Sequence, residues 1–188
     1  MASVDILVEG HLGDDDHVAS TVGLVRAGEV LVVVDPGLVP GRRAILDPLA
    51  AAGHGAEDVT DVVFSHHHPD HTLNAALFPN ARFHDHWAIY RDDVWTSRDA
   101  EGFVLGEGVT LIRTPGHTPE DISTVVETDE GLAVFTHAWW TASGPTEDPY
   151  APDMAVLHAS RGRILALGPR TIVPGHGAPF EPNDQTPR

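Results

Sequence analysis

Ser65-His66-His67-His68-Pro69-Asp70-His71 is the stretch on which the reading of this chain turns. It follows Asp61-Val62-Val63-Phe64, a short apolar run expected to run as a buried strand through Ser65, so the histidines leave a rigid support and enter a loop. On an extended backbone His66 and His68 project to one side while His67 points to the other. Asp70 and His71 come after the Pro69 turn and approach from another direction. Two imidazoles and a carboxylate–imidazole pair can therefore face two neighbouring points in space, a donor set for one or two divalent ions.

Composition narrows the chemistry around that motif. The 188 residues include 13 histidines and no cysteine, which excludes disulfides, thiolate metal sites and thiol nucleophiles. Any metal must be held by nitrogen and oxygen, a donor set that suits Zn2+ and accepts Mn2+ or Fe2+ as well. The formal net charge is −17, and the 11 basic residues are all arginines scattered along the chain. Such a surface repels polyanions and weighs against nucleic acid as a partner, leaving a small-molecule substrate. No apolar run reaches membrane-spanning length, and Met1 to Gly10 lacks the basic start and apolar block of a signal peptide. A cytoplasmic location is expected, without a membrane partner; assembly as a homo-oligomer is compatible with all of this.

Outward from the motif the chain reads as one domain over residues 1–188, with 181–188 as a flexible tail. Val4 to Val8 is a first strand, and Asp14-Asp15-Asp16 a polar turn. Ser20 to Arg26 and Glu29 to Val34 form a hairpin turning at Ala27-Gly28. Leu31-Val32-Val33-Val34 is too continuously apolar for a half-exposed strand, and it ends in the turn Asp35-Pro36-Gly37. Helices are expected over Gly41 to Ala52, Thr72 to Leu77, His86 to Trp95 and Ala151 to Leu167. Further strands are expected at Arg82 to His84, Val109 to Arg113, Ser123 to Glu127, Leu132 to Phe135 and Thr171 to Val173. Two groups of strands, each mixed with helices, suit an α/β fold of two sheets with helices outside.

Two more histidines have settings like the first. Leu111-Ile112-Arg113-Thr114-Pro115-Gly116-His117 runs from a strand into a Pro-Gly turn with His at its exit, and Ile172-Val173-Pro174-Gly175-His176 repeats the design. A glycine before the ligand lets the backbone pass close to its neighbours while the strand aims the imidazole.

With these residues the chain resembles the metallo-β-lactamase fold hydrolases from about Val4 to Phe180. The resemblance rests on Asp35, His66, His68, Asp70, His71, His117 and His176 in the family's order. It implies a four-layer αββα sandwich, with His66, His68 and His117 on one metal, and Asp70, His71 and His176 on a second. Asp35 would accept a hydrogen bond that orients a ligand. Leu77-Phe78-Pro79 and Asp121-Ile122-Ser123 are similar to one small subgroup. Where most two-metal members carry a bridging aspartate after a strand, this chain has Thr136-His137-Ala138. His137 is read either as a metal ligand or as a pocket residue, and the number of ions, one or two, turns on it.

That departure points away from the family's iron dioxygenases, which use the missing aspartate, and the chain has no room for the flavin domain of its oxygen reductases. Hydrolysis by a metal-bound hydroxide is the leading expectation, on a small ester, thioester, lactone or amide, with Asp70 orienting the water and carrying its proton. A metal-dependent phosphodiesterase or ribonuclease is the alternative within enzymes, and a catalytically reduced metal-binding protein the alternative outside them. Trp139, Trp140 and Tyr150 flank a Pro/Gly-rich loop after His137 and are read as substrate walls or, for the tryptophans, as core. His84, in His84-Asp85-His86, is read as a further pocket residue or as a strand end before a helix capped by Asp85. His11, His17, His54, His67 and His158 carry no supporting context.

Overall fold

The computed structural model describes residues 1–188. A seven-stranded sheet has the order β1 (Ser3–Val8), β4 (Val22–Ala27), β5 (Val30–Val34), β6 (Asp61–Val63), β7 (Arg82–His84), β8 (Ala88–Arg91), β9 (Val94–Ser97). A five-stranded sheet has the order β10 (Phe103–Gly106), β11 (Val109–Arg113), β12 (Ile122–Thr128), β13 (Gly131–Thr136), β14 (Thr171–Pro174). β2 (His11–Leu12) and β3 (Val18–Ala19) make a small hairpin around the Asp14–Asp16 turn. The helices are α1 (Arg43–Ala51), the single turn α2 (Pro69–Thr72) and α3 (Met154–Ala166). None is long and apolar enough to cross a membrane.

Side-chain alternation builds the layers. In β5, Val32 and Val34 enter the core between the two sheets, where they meet Leu111, Ile122, Val126, Phe135 and Val173 of the other sheet. Leu31 and Val33 point the other way, to a second core with Ile45 and Leu49, one helical turn apart on α1. β13 and β14 repeat the pattern: Ala133, Phe135 and Val173 face inward, while Val134 and Ile172 pack with Leu157 and Ile164 of α3. This explains why Leu31 to Val34 reads as a continuous apolar run, since both of its faces are covered. The order is therefore α1, sheet, sheet, α3, as the αββα expectation requires.

β5, β6 and β7 are parallel, as are β13 and β14, and β11 shares the direction of β13 because both pair antiparallel with β12. The carboxyl ends of β5 and β6, and of β11, β13 and β14, are where the loops bearing the candidate residues begin. Ile122 N–H donates to the Ser65 carbonyl at 2.9 Å and joins the two sheets beside the histidine motif.

Three expectations are corrected. Residues 86–95 are not a helix but enter the hairpin β8–β9, turning at Asp92 with φ 53°. Asp85 does accept the N–H groups of Trp87 and Ala88, at 2.9 and 2.8 Å, the bonds a helix cap would make. Pairing of β8 with β7 then overrides that local signal. Residues 72–77 form the end of α2 and a separate 3-10 turn at Ala75–Leu77 rather than one helix, and β10 was not foreseen. The expected loose tail is held: Thr186 is buried, and the Pro187 carbonyl accepts Trp139 Nε1–H at 2.8 Å.

Gly37 shows how closely the early turn meets the histidine loop. A Cβ there would lie 1.5 Å from the Asp70 carbonyl oxygen, which already accepts the Leu38 N–H at 2.9 Å. Gly37→Ala must push the two loops apart, so it should cost about 1–3 kcal/mol in urea unfolding and weaken metal binding with it. An unchanged midpoint would show that this contact does not constrain the fold.

Candidate metal centre

Five buried imidazoles from four loops meet at one end of the sandwich: His66, His71, His117, His137 and His176. Four of them are held at Nδ1 by a neighbouring oxygen. His66 Nδ1 is 3.0 Å from Ser65 Oγ, His71 Nδ1 3.0 Å from Asp35 Oδ2, His117 Nδ1 2.8 Å from Asp148 Oδ2, and His176 Nδ1 3.0 Å from the Ala19 carbonyl. With Nδ1 engaged, each ring turns its Nε2 to the interior, which is how ligating histidines are oriented. His71 Nε2 and His137 Nε2 stand 3.4 and 3.1 Å from His176 Nε2.

Two trios emerge whose ligand atoms lie within 4.8 Å of one another: His66, His117 and His137, and His71, His137 and His176. His137 belongs to both. The expected first trio had His68 in place of His137, and the expected second had Asp70. Both remain beside the cluster. His68 Nδ1 is 3.0 Å from His117 Nε2, while Asp70 Oδ2 is 3.4 Å from His71 Nε2 and 3.5 Å from His176 Nε2.

The donor set fits a divalent ion. His66 Nε2 and His137 Nδ1 are buried with no protein hydrogen-bond partner, a costly state for a polar atom unless it binds something else. Lone pairs on imidazole nitrogens this close repel one another unless a proton or a cation lies among them. Burial, reinforced by the neighbouring imidazoles, holds His66 and His137 well below the ordinary histidine value. Burial, with His71 beside it, brings His176 down to about 4. Burial acts on His71 in the same sense, but the carboxylates of Asp35 and Asp70 outweigh it and raise this imidazole to about 9. Burial opposes ionisation of Asp70, yet His71 and His176 bring its carboxyl to about 2. One protonated histidine thus sits among neutral ones, where an ion would replace its proton.

The two Pro-Gly-His turns work by close approach. A Cβ at Gly175 would lie 2.3 Å from His137 Cδ2, and one at Gly116 would lie 2.5 Å from Leu157 Cδ1 on α3. Asp121 closes the turn after His117, accepting the N–H of Thr118 at 3.0 Å. Asp35, with φ 51°, accepts the Ser65 N–H at 2.7 Å as well as His71, and so braces the histidine loop.

Above the cluster lies a pocket of about 650 Å³. Trp140 and Tyr150 form one wall, stacked with centroids 5.8 Å apart, and Leu12, Val18 and Leu38 form another. Two readings as substrate residues are corrected. Trp139 is fully buried against α3, with the Arg161 guanidinium over its ring, so it belongs to the core. His84 is fully buried and bonds Asp61 at 2.7 Å, outside the cluster and the pocket. His67 turns outward from the motif, bonding Asp85 at 3.0 Å. Asp148 was missed altogether. It lies in a Pro/Gly-rich loop where nothing in the sequence distinguishes it from the chain's other acidic residues.

Residues 15–176 match the sequence profile of the metallo-beta-lactamase superfamily, and this range includes every histidine of the cluster. The chain belongs to the metallo-β-lactamase superfamily. It is 33% identical over 190 residues to metallo-beta-lactamase domain-containing protein 1 of Xenopus laevis, covering 95% of this chain and 81% of that protein. The mouse protein of the same name is 36% identical over 169 residues, covering 86% of this chain and 65% of its own length. Among solved structures, a candidate metallo-β-lactamase of Thermotoga maritima superposes with a TM-score of 0.74 at 22% identity, over 96% of this chain and 99% of that one. A B. thuringiensis protein with N-decanoyl-L-homoserine at its active site gives 0.69 at 19% identity, over 93% and 92%. Superfamily membership and the buried histidines make this chain a metal-binding hydrolase of the metallo-β-lactamase fold.

The raised His71 sets a pH dependence. The imidazole is protonated below about 9 in the ion-free protein, so a metal that binds its Nε2 must release that proton. Zinc affinity should therefore rise by about tenfold per pH unit between pH 7 and 9, read by competition with a chromophoric chelator. A flat profile would remove His71 from the donor set.

Proposed function

We propose that this chain hydrolyses a small, uncharged ester, thioester, lactone or amide, with zinc as its ion. The observation that carries the reading is the convergence of Nε2 atoms, four from Nδ1-anchored rings, beneath a pocket that contains no lysine or arginine. Buried imidazoles in groups of three are a zinc donor set. His66, His117 and His137, with His68 beside them, would hold one ion; His71, His137 and His176, with Asp70 beside them, would hold a second. A divalent ion there supplies Lewis acidity to the substrate carbonyl and lowers the pKa of a water toward neutrality.

The chain's own residues do the rest. Asp70 is ionised, lines the pocket, and can take the proton of the attacking water and return it to the leaving oxygen, sulfur or nitrogen. Asp35 and Asp148 hold His71 and His117 in the orientation that leaves Nε2 inward. Trp140 and Tyr150 flank the acyl or alcohol portion. The pocket's charged residues outside the cluster are Asp16 and Asp70, so a phosphodiester would meet no cationic side chain.

Elemental analysis and a substrate panel test this together. Zinc-reconstituted protein should carry about two ions per chain, and His137→Ala fewer. It should cleave uncharged lactone or thioester probes faster than a phosphodiester. The activity should disappear with a chelator, return with zinc, and fall at least about a hundredfold in His68→Ala. Zinc-loaded protein that cleaves only the phosphodiester, or nothing, would overturn the reading.

A further inference from the structure

Asp148 lies on the loop after β13, far in sequence from His117, and its carboxylate is almost wholly buried. Three donors converge on it. Oδ2 accepts His117 Nδ1–H at 2.8 Å and Trp140 Nε1–H at 2.9 Å, and Oδ1 accepts the Tyr150 N–H at 2.9 Å. One group thus holds a histidine of the metal cluster, the indole of the pocket wall and the backbone of the second wall residue. The loop is itself pinned from α3. The buried Arg161 donates through Nε to the Ala138 carbonyl at 2.8 Å, through Nη1 to Thr146 at 3.0 Å and through Nη2 to Pro145 at 2.7 Å.

A carboxylate accepts but cannot donate, so it fixes the His117 proton on Nδ1 and leaves Nε2 as the ligand atom. The same oxygen accepts from Trp140, so the carboxylate that orients the imidazole also seats the indole. We propose that Asp148 is a positioning residue that sets the ligand tautomer of His117 and seats the Trp140–Tyr150 wall as one unit, making metal affinity and substrate fit depend on the same side chain. This rests on the proposed function only in taking His117 as a ligand. Asp85 is not a second case of the kind. It also gathers several donors, including His67, Tyr90 and two backbone N–H groups, but none of them belongs to the cluster or the pocket.

The test uses the full zinc-loaded chain and three variants beside wild type: Asp148→Asn, Trp140→Phe and His117→Ala. Asp148→Asn keeps the shape but lacks the charge and can donate. It should weaken zinc binding by about 10–100-fold in chelator competition. In 15N spectra of histidine-labelled, metal-free protein it should replace the single Nδ1–H form of His117 by a mixture of tautomers. Trp140→Phe leaves the carboxylate on His117. It should raise KM for an uncharged ester with less than a threefold change in zinc affinity. A merely structural role for Asp148 would lower the melting temperature without moving the His117 tautomer, and that result overturns the proposal, as does unchanged zinc affinity in Asp148→Asn. If Asp148→Asn does not fold, a zinc affinity altered more than threefold in Trp140→Phe, or a KM unaltered there, is the overturning result. His117→Ala separates the two layers: full zinc retention in that variant defeats the ligand assignment itself, whereas loss of zinc there with none in Asp148→Asn defeats only the role given to Asp148.

Discussion

The Asp35 carboxylate is the contact on which the centre depends. One oxygen takes the Ser65 N–H at 2.7 Å and the other takes His71 Nδ1 at 3.0 Å, so the end of β5 is tied to the loop after β6 by a group that also orients a candidate ligand. To reach both, Asp35 adopts a positive φ of 51°, an unfavourable conformation for a side-chain-bearing residue but one that aspartate tolerates better than most. Gly37 then lets the chain pass against the Asp70 carbonyl. Strain in this turn is offset by what it organises: two loops locked together and an imidazole raised to about 9 by the carboxylates around it.

The same solution recurs around the cluster with different acceptors. A serine hydroxyl, two carboxylates and a backbone carbonyl engage the Nδ1 atoms of four imidazoles. Except for Ser65, the sequence neighbour of His66, each partner comes from a remote part of the chain, so the orientation of His71, His117 and His176 is a property of the closed sandwich. His137 is the exception, with Nδ1 buried and without a protein partner and its ring shared between the two trios. In the superfamily resemblance this is the place of a bridging carboxylate. An imidazole here is longer and offers its nitrogens on opposite sides of a ring, which is why it reaches residues of both trios. Gly175 is required beneath it because any side chain would strike that ring.

Much of this was legible in the sequence because it is local. A strand followed by spaced histidines needs only period-two geometry to show that His66 and His68 share a side. The apolar run at Leu31 to Val34 announces a strand covered on both faces, and α1 and α3 show helical composition bounded by glycine. The hairpin at residues 88–97 reads as a helix in the sequence because Asp85 makes the same two backbone bonds at the start of a helix or of this turn. What decides between them is strand β7 alongside. The tail is likewise held by a partner far away, Trp139, that no terminal pattern reveals.

Donor types, their placement after strands and the alternation that makes a four-layer α/β sandwich are all written in local sequence. Which nitrogens meet depends on the closed fold. Trp139 and Trp140 are neighbours in the chain, yet one fills the core against α3 and the other walls the pocket. Asp148 is one acidic residue among 28, distinguished only because folding brings it 2.8 Å from His117. Local pattern specifies which face of an element is buried. It does not specify what lies opposite that face, because the partner arrives from a remote segment when the sheets close.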